Sequence, residues 1–146
     1  MADVIKMLEQ DHREAEALFA KIKETNGAAR AGLVTKLADA LKLHMEVEET
    51  IVYPAISKQV TGGTEMVEEA QTEHQGARKV LGDVEKLSPN KPGFDGALEM
   101  LEAGISHHVK EEEEEVFPAF RKSVDATKLE QLGEQVAAAK DAAIPA

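Results

Sequence analysis

A helix that buries one face does not ordinarily set an ionised carboxylate on that face, yet this chain does so twice. "HMEVEETIVYP", residues 44–54, and "HVKEEEEEVFP", residues 108–118, are two spellings of one phrase. Each holds a His, a Glu four places on, a second Glu beside it, and an aromatic–Pro pair at the close. Residues four apart on a helix are neighbours, with Cβ atoms roughly 5–6 Å apart. His44 with Glu48, and His108 with Glu112, therefore present an imidazole nitrogen and a carboxylate oxygen to one point. Burying an unpaired ionised carboxylate costs on the order of several kcal/mol or more. A fold that accepts two of them has to supply compensating positive charge.

Apolar residues recur at helical spacing along nearly the whole chain. Val4, Leu8, Ala15, Phe19 and Ile22 make one stripe; Leu33, Leu37, Leu41, Ile51 and Ala55 make a second. Val67, Ala70, Ala77, Leu81 and Val84 form a third, and Leu98, Leu101, Ile105, Val116 and Phe120 a fourth. Turn chemistry separates them at "TNGA" (25–28), "TGGT" (61–64) and "SPNKPGFD" (88–95), with Asp95 the expected N-cap of the fourth helix. No alternating β-branched run marks a strand. Short links between four amphipathic helices predict an all-α protein, an antiparallel up-down-up-down four-helix bundle. An Ala-rich segment carrying Leu129, Leu132 and Val136 predicts an extra C-terminal helix. The expected division is a bundle domain over 1–124 and a helical appendage over 125–146, packed along the outside.

The 146 residues suffice for one core. A net charge of −11 argues against nucleic acid and against an anionic membrane surface, both of which select Lys and Arg. No apolar run reaches the length of a membrane span, and "MADVIKMLEQ" lacks the basic and then hydrophobic start of a signal peptide. Zero cysteines exclude disulfides and thiolate chemistry and fit a reducing cytoplasm, the expected location. Any metal site must then use His, carboxylate or phenol.

Four of the five histidines fall on the apolar stripes, one per helix. His12 follows Val4 and Leu8, His44 continues Leu37 and Leu41, His74 follows Ala70, and His108 follows Ile105. The halves repeat: an acid precedes both His12 and His74, and the gaps to His44 and His108 are 32 and 34 residues. Two similar helix pairs related by an approximate twofold would meet at a shared centre. Four imidazoles and two bridging carboxylates suit two first-row metal ions, and the bridging acids favour iron over tetrahedral zinc.

The order His, His-x-x-x-Glu, His, His-x-x-x-Glu, with aromatic–Pro after each pair, resembles the hemerythrin-like, or HHE cation-binding, family over about residues 4–122. The resemblance implies iron ligands at His12, His44, Glu48, His74, His108 and Glu112, the two glutamates bridging. It implies two iron ions joined by an oxo or hydroxo bridge, meeting O2, hydrogen peroxide, NO or iron itself. Oxygen-carrying hemerythrins have a further His one turn after the third-helix His, and here that position is Arg78. One iron then gains an open or water-filled position. Tyr53, the only tyrosine, is the candidate to fill it. Simple helical projection sets Tyr53 off the His44/Glu48 line unless the helix bends at Pro54, so a core hydroxyl beside the metal is the competing expectation.

These residues predict a di-iron protein that decomposes peroxide in the manner of a catalase, or consumes NO with peroxide. The rival is a carrier, store or sensor of O2 or iron without turnover. A monomer or weak homo-oligomer is expected. His107 competes with His108, because Glu111 stands four beyond it, but Pro118 lies ten after His108 as Pro54 lies ten after His44. His107 is therefore expected at the rim, with a proton-relay role open to it or to Tyr53. In the run "EEEEE" only Glu112 is expected inward; Asp11 and Glu73 are read as surface acids, with a role orienting an imidazole as the alternative, and Met7, Met45, Met66 and Met100 as packing.

Overall fold

A computed structural model describes residues 3–143. Helix α1 spans Val4–Glu24 and starts on Asp3, whose carboxylate accepts the Lys6 N–H at 2.8 Å. Helix α2 (Ala28–Val47) runs on through a widened turn, Glu48–Val52, into α3 (Tyr53–Gln59). Helix α4 spans Gly63–Lys86. Helix α5 (Phe94–Glu111) likewise continues through a widened turn, Glu112–Val116, into α6 (Phe117–Ser123), and α7 spans Ala126–Ala143. No strand occurs among the described residues. The composite helices α2–α3 and α5–α6, with α1 and α4, form the antiparallel bundle. The fifth helix, α7, packs on α1, α2 and the first widened turn.

The links carry the conformations that end helices. Gly27, Gly62 and Gly93 have φ of 72°, 75° and 93°, the left-handed region that suits glycine. Gly93, not Asp95, precedes the first residue of α5. Asp95 sits inside the first turn, where it accepts a hydrogen bond from Arg30 at 2.7 Å instead of capping. At Gly63 a Cβ would lie 2.2 Å from the Ile56 carbonyl oxygen, so glycine permits the tight approach of α4 to the end of α3.

The apolar residues form two clusters at opposite ends of the bundle. One joins Val4, Ile5, Leu8, Val52, Ile56, Phe117 and Phe120 to Leu129, Leu132 and Val136 of α7. The other gathers Phe19, Ile22, Leu37, Met45, Leu81, Phe94 and Leu101. The six predicted His and Glu residues lie at the waist between them.

Two apolar expectations shift. Beyond Glu48 the fully buried residues are Val52, Tyr53 and Ile56, while Ile51 and Ala55 are only partly buried. The widened turn inserts one residue and rotates the helix beyond it. Met45 is buried and Met7 and Met66 partly so, but Met100 is 65% exposed and belongs to neither core cluster.

Candidate metal centre

The widened turns position the centre. In each, a backbone N–H reaches back five residues instead of four: Tyr53 N–H to the Glu48 carbonyl, and Phe117 N–H to the Glu112 carbonyl. This is π-helical geometry, which recurs as single turns at functional sites. The proline after each aromatic has no N–H to offer the preceding turn, and that missing bond favours the wider spacing. Tyr53 thereby lands one turn below Glu48 on its own line. The continuous helix needs no bend at Pro54; an extra residue does what the bend was expected to do.

At the waist the six residues converge. Glu48 and Glu112 are 0% and 1% exposed, and His12, His44, His74 and His108 are all buried. Each imidazole turns its Nε2 inward. His12 Nε2 lies 3.2 Å from Glu112 Oε1, and His44 Nε2 3.2 Å from Glu48 Oε1. His74 Nε2 lies 3.1 Å from Glu48 Oε1 and 3.1 Å from His108 Nε2, which lies 3.3 Å from Glu112 Oε2. Donor atoms of His12, His44, Glu48 and Glu112 fall within 4.8 Å of one another, as do those of Glu48, His74 and His108. Glu48 belongs to both groups. Glu112 faces both sides, its Oε1 toward His12 and its Oε2 toward His108.

These residues fit bound metal cations. His12 Nε2, His44 Nε2, Glu48 Oε2 and Glu112 Oε1 are buried without a hydrogen-bond partner. Buried polar atoms are nearly always partnered, and an ion is one of the few reasons for an exception. Donors 3.1–3.3 Å apart match neighbouring positions on one small ion, roughly 3 Å for imidazole–metal bonds of about 2.0–2.1 Å.

The outward nitrogens form a closed ring. Asp11 of α1 accepts the Nδ1–H of His44 at 2.8 Å. Glu49, in the turn after α2, accepts that of His74 at 2.6 Å. Glu73 of α4 accepts that of His108 at 2.7 Å, and Glu113, in the turn after α5, accepts that of His12 at 2.6 Å. Each long helix thus holds the histidine of the next, and the fourth returns to the first. A carboxylate on Nδ1 fixes the tautomer, keeps the Nε2 lone pair inward and strengthens it as a donor. Asp11 and Glu73 are therefore not simple surface acids. Glu113 turns to the centre along with Glu112, so the acidic run contributes two residues and not one. Glu49 and Glu113, each five after a histidine, are the second Glu of the two phrases, so their repetition in the sequence marks a role that helical spacing alone does not assign.

Tyr53, 1% exposed, brings its hydroxyl to the His74/His108 side. It donates to Glu112 Oε2 at 2.6 Å and lies 3.1 Å from His74 Nε2, 3.3 Å from His108 Nε2 and 3.2 Å from Glu48 Oε1. Arg78, at the place of the further His, is turned outward and makes a paired contact with Glu49 at 2.8 and 2.9 Å. His107 is at the rim, 66% exposed in its side chain, 3.0 Å from Glu111 and 3.5 Å from Glu73.

The electrostatics demand positive charge. Burial opposes protonation of His44, but Glu48 on one side and Asp11 on the other outweigh it and push the pKa up to about 10. Burial is likewise outweighed at His108 by its bonds to Glu112 and Glu48 and their charges, which push it up to about 11. Burial favours the neutral acid at Glu48, yet the surrounding imidazoles hold it well below the usual carboxylate range. Burial and the charges of Glu48 and Glu112 push the Tyr53 phenol upward, so it stays neutral unless a cation stands beside it. No helix of the described residues is long and apolar enough to cross a membrane.

Comparison with known proteins agrees with this geometry. The family model described as the hemerythrin HHE cation binding domain matches residues 3–120. The crystal structure of a hemerythrin HHE cation binding domain-containing protein, the Rv2633c homolog from Mycobacterium kansasii, superposes with a TM-score of 0.84. It is 27% identical, and the match covers 94% of this chain and 85% of that one. The uncharacterized protein Rv2633c of Mycobacterium tuberculosis is 25% identical over 138 residues, 90% of this chain and 81% of that protein. A protein of a Nostoc species named DNA nickase is 28% identical over 140 residues, 94% of this chain. This chain spans only 38% of the length of that relative.

Proposed function

The chain belongs to the hemerythrin HHE cation-binding domain family, and from that premise we propose that its waist holds two iron ions and decomposes hydrogen peroxide. His12 and His44 would hold one ion and His74, His108 and Tyr53 the other, with Glu48 and Glu112 between them. The observation that carries this reading is the set of four buried, unpartnered donor atoms on His12, His44, Glu48 and Glu112. Bound iron supplies the electron transfer and the exchangeable positions that these side chains lack.

The residues do the rest. Glu48 and Glu112 would offset cationic charge in a buried site, where each charge counts for more than at the surface. The ring of carboxylates holds all four imidazoles in one tautomer. Tyr53, held neutral beside Glu112 Oε2 at 2.6 Å, would give up its proton to solvent when a cation binds and supply an anionic oxygen donor suited to a trivalent ion, with Glu112 kept as a carboxylate. A centre biased that way carries O2 poorly, because carriage needs the reduced state. The outward Arg78 removes the further imidazole that an oxygen carrier has. In the reaction proposed, one peroxide is oxidised to O2 and a second is reduced to two waters, so no outside reductant is required. The partners are small molecules; a net charge of −11 speaks against nucleic acid, whatever the function of the Nostoc relative.

The test is an oxygen electrode trace of iron-loaded protein given hydrogen peroxide. One O2 released for every two peroxides consumed is expected. No O2 release, together with a stable and reversible coloured O2 adduct of the reduced protein, would replace turnover with carriage.

A further inference from the structure

The fifth helix reaches the waist. Leu129, Leu132 and Val136 bury one face of α7 in the cluster that also holds Val4 and Leu8 of α1. Lys140 stands one turn beyond Val136 on that same line. A lysine so placed usually extends its ammonium to water. This one is three-quarters buried and turns inward, its Nζ 2.5 Å from Oδ1 and 2.7 Å from Oδ2 of Asp11. Asp11 in turn accepts the Nδ1–H of His44.

The other three ring acids show what is unusual here. Glu49 is held by Arg78 of α4 and Glu113 by Arg13 of α1, both within the bundle. Glu73, which corresponds to Asp11 in the other half, meets besides His108 the exposed His107, at 3.5 Å, and the Glu111 carboxylate. Asp11 alone is held from outside the four helices. Beside it lies a cleft of about 250 Å³, lined by Asp11, Ala40, Leu43, His44 and Lys140. Without the ammonium, the carboxylate has room to swing toward that cleft and away from His44.

We propose that Lys140 is a positioning residue of the metal centre: by fixing Asp11 it fixes His44, so the fifth helix governs metal binding in the His12/His44 half and not in the other. The inference rests on the metal-binding reading above, and its test separates the two. Residues that orient a ligand from behind are worth about 10–100-fold in metal affinity, and one acting through such a residue belongs at the lower end.

Full-length metal-free protein, titrated with Co2+ and followed by visible absorption, supplies the readout. Wild type is expected to take up two ions. Lys140→Met should weaken one of the two by roughly tenfold and leave the other unchanged, while Lys140→Arg restores both. In an Asp11→Asn background Lys140→Met should have no further effect, because the path through Asp11 is already cut. Wild-type cobalt binding in Lys140→Met would overturn the inference. So would a loss of the same size with and without Asp11, which marks a loosened helix and not a positioned histidine. Failure of wild type to take up two ions would overturn the metal-binding reading itself.

Discussion

The two widened turns share a backbone and differ in what they deliver. Glu48–Val52 ends on Tyr53, whose ring stacks near His74 at 5.3 Å and whose hydroxyl touches both carboxylates. Glu112–Val116 ends on Phe117, which stacks near His12 at 6.0 Å and brings no polar atom. The inner residues otherwise obey the approximate twofold: His12 answers to His74, His44 to His108 and Glu48 to Glu112, while in the outer ring Asp11 differs from its counterpart Glu73 in being held by Lys140 of α7. A near-symmetric scaffold therefore offers two unlike cups. One hydroxyl separates a nitrogen- and carboxylate-lined cup from one with a phenol in reach. The backbone device is general, and the residue after it sets the chemistry.

The harshest way to break this comparison is to remove what both cups share. Glu48→Ala or Glu112→Ala should cost at least one ion, a loss of about 100-fold or more in affinity, measured as metal per chain by emission spectroscopy. Two ions retained in both variants would end the bridging assignment. A sharper cut makes the cups alike. Tyr53→Phe should abolish a phenolate-to-iron absorption band of the ferric protein, and Phe117→Tyr should add intensity to it. An unchanged Tyr53→Phe spectrum would remove the phenol from the ligands. The ring acids predict a smaller and matched effect. Glu49→Gln and Glu113→Gln should each weaken metal binding about 10–100-fold by calorimetric titration, and clearly unequal losses would show that the twofold does not extend to the outer ring.

The last effect concerns the metal-free protein and draws on both halves. The pKa values of His44 and His108 rise from 6.5 to about 10 and about 11 on folding. A value raised by folding adds stability that is complete below the unfolded pKa and is lost as pH climbs through the folded one. The thermal midpoint of the metal-free protein should therefore fall between about pH 6.5 and pH 11. A flat midpoint across that window would mean that the two halves do not hold their protons as described.

Much of this was legible in the residues. Helical spacing found the long helices because their stripes are regular, and the His-x-x-x-Glu phrases found the buried His and Glu cluster because a charge on a buried stripe has few explanations. Asp95 misled because a good capping residue lay two positions past a glycine that already allowed the turn. Ile51 and Ala55 misled for a deeper reason. Periodicity assumes a constant 3.6 residues per turn, and the π-helical turn breaks that count just where Tyr53 must enter. The aromatic–Pro pairs marked the break, but their meaning is a missing N–H, which no hydrophobic pattern records. The ring acids were hidden because their partners lie on other helices, at separations from 25 to 101 residues.

That ring has a bearing on how the molecule comes into being. Its order runs with the chain: Asp11 waits for His44, Glu49 for His74 and Glu73 for His108, but the acid that steadies His12 is Glu113, synthesised 101 residues later. A polypeptide cut short before that point has an unanchored first imidazole and lacks the second shared acid. The clasp shuts only when the fourth long helix folds back on the first, so a closed waist is a mark of a chain that has been made and folded through all four.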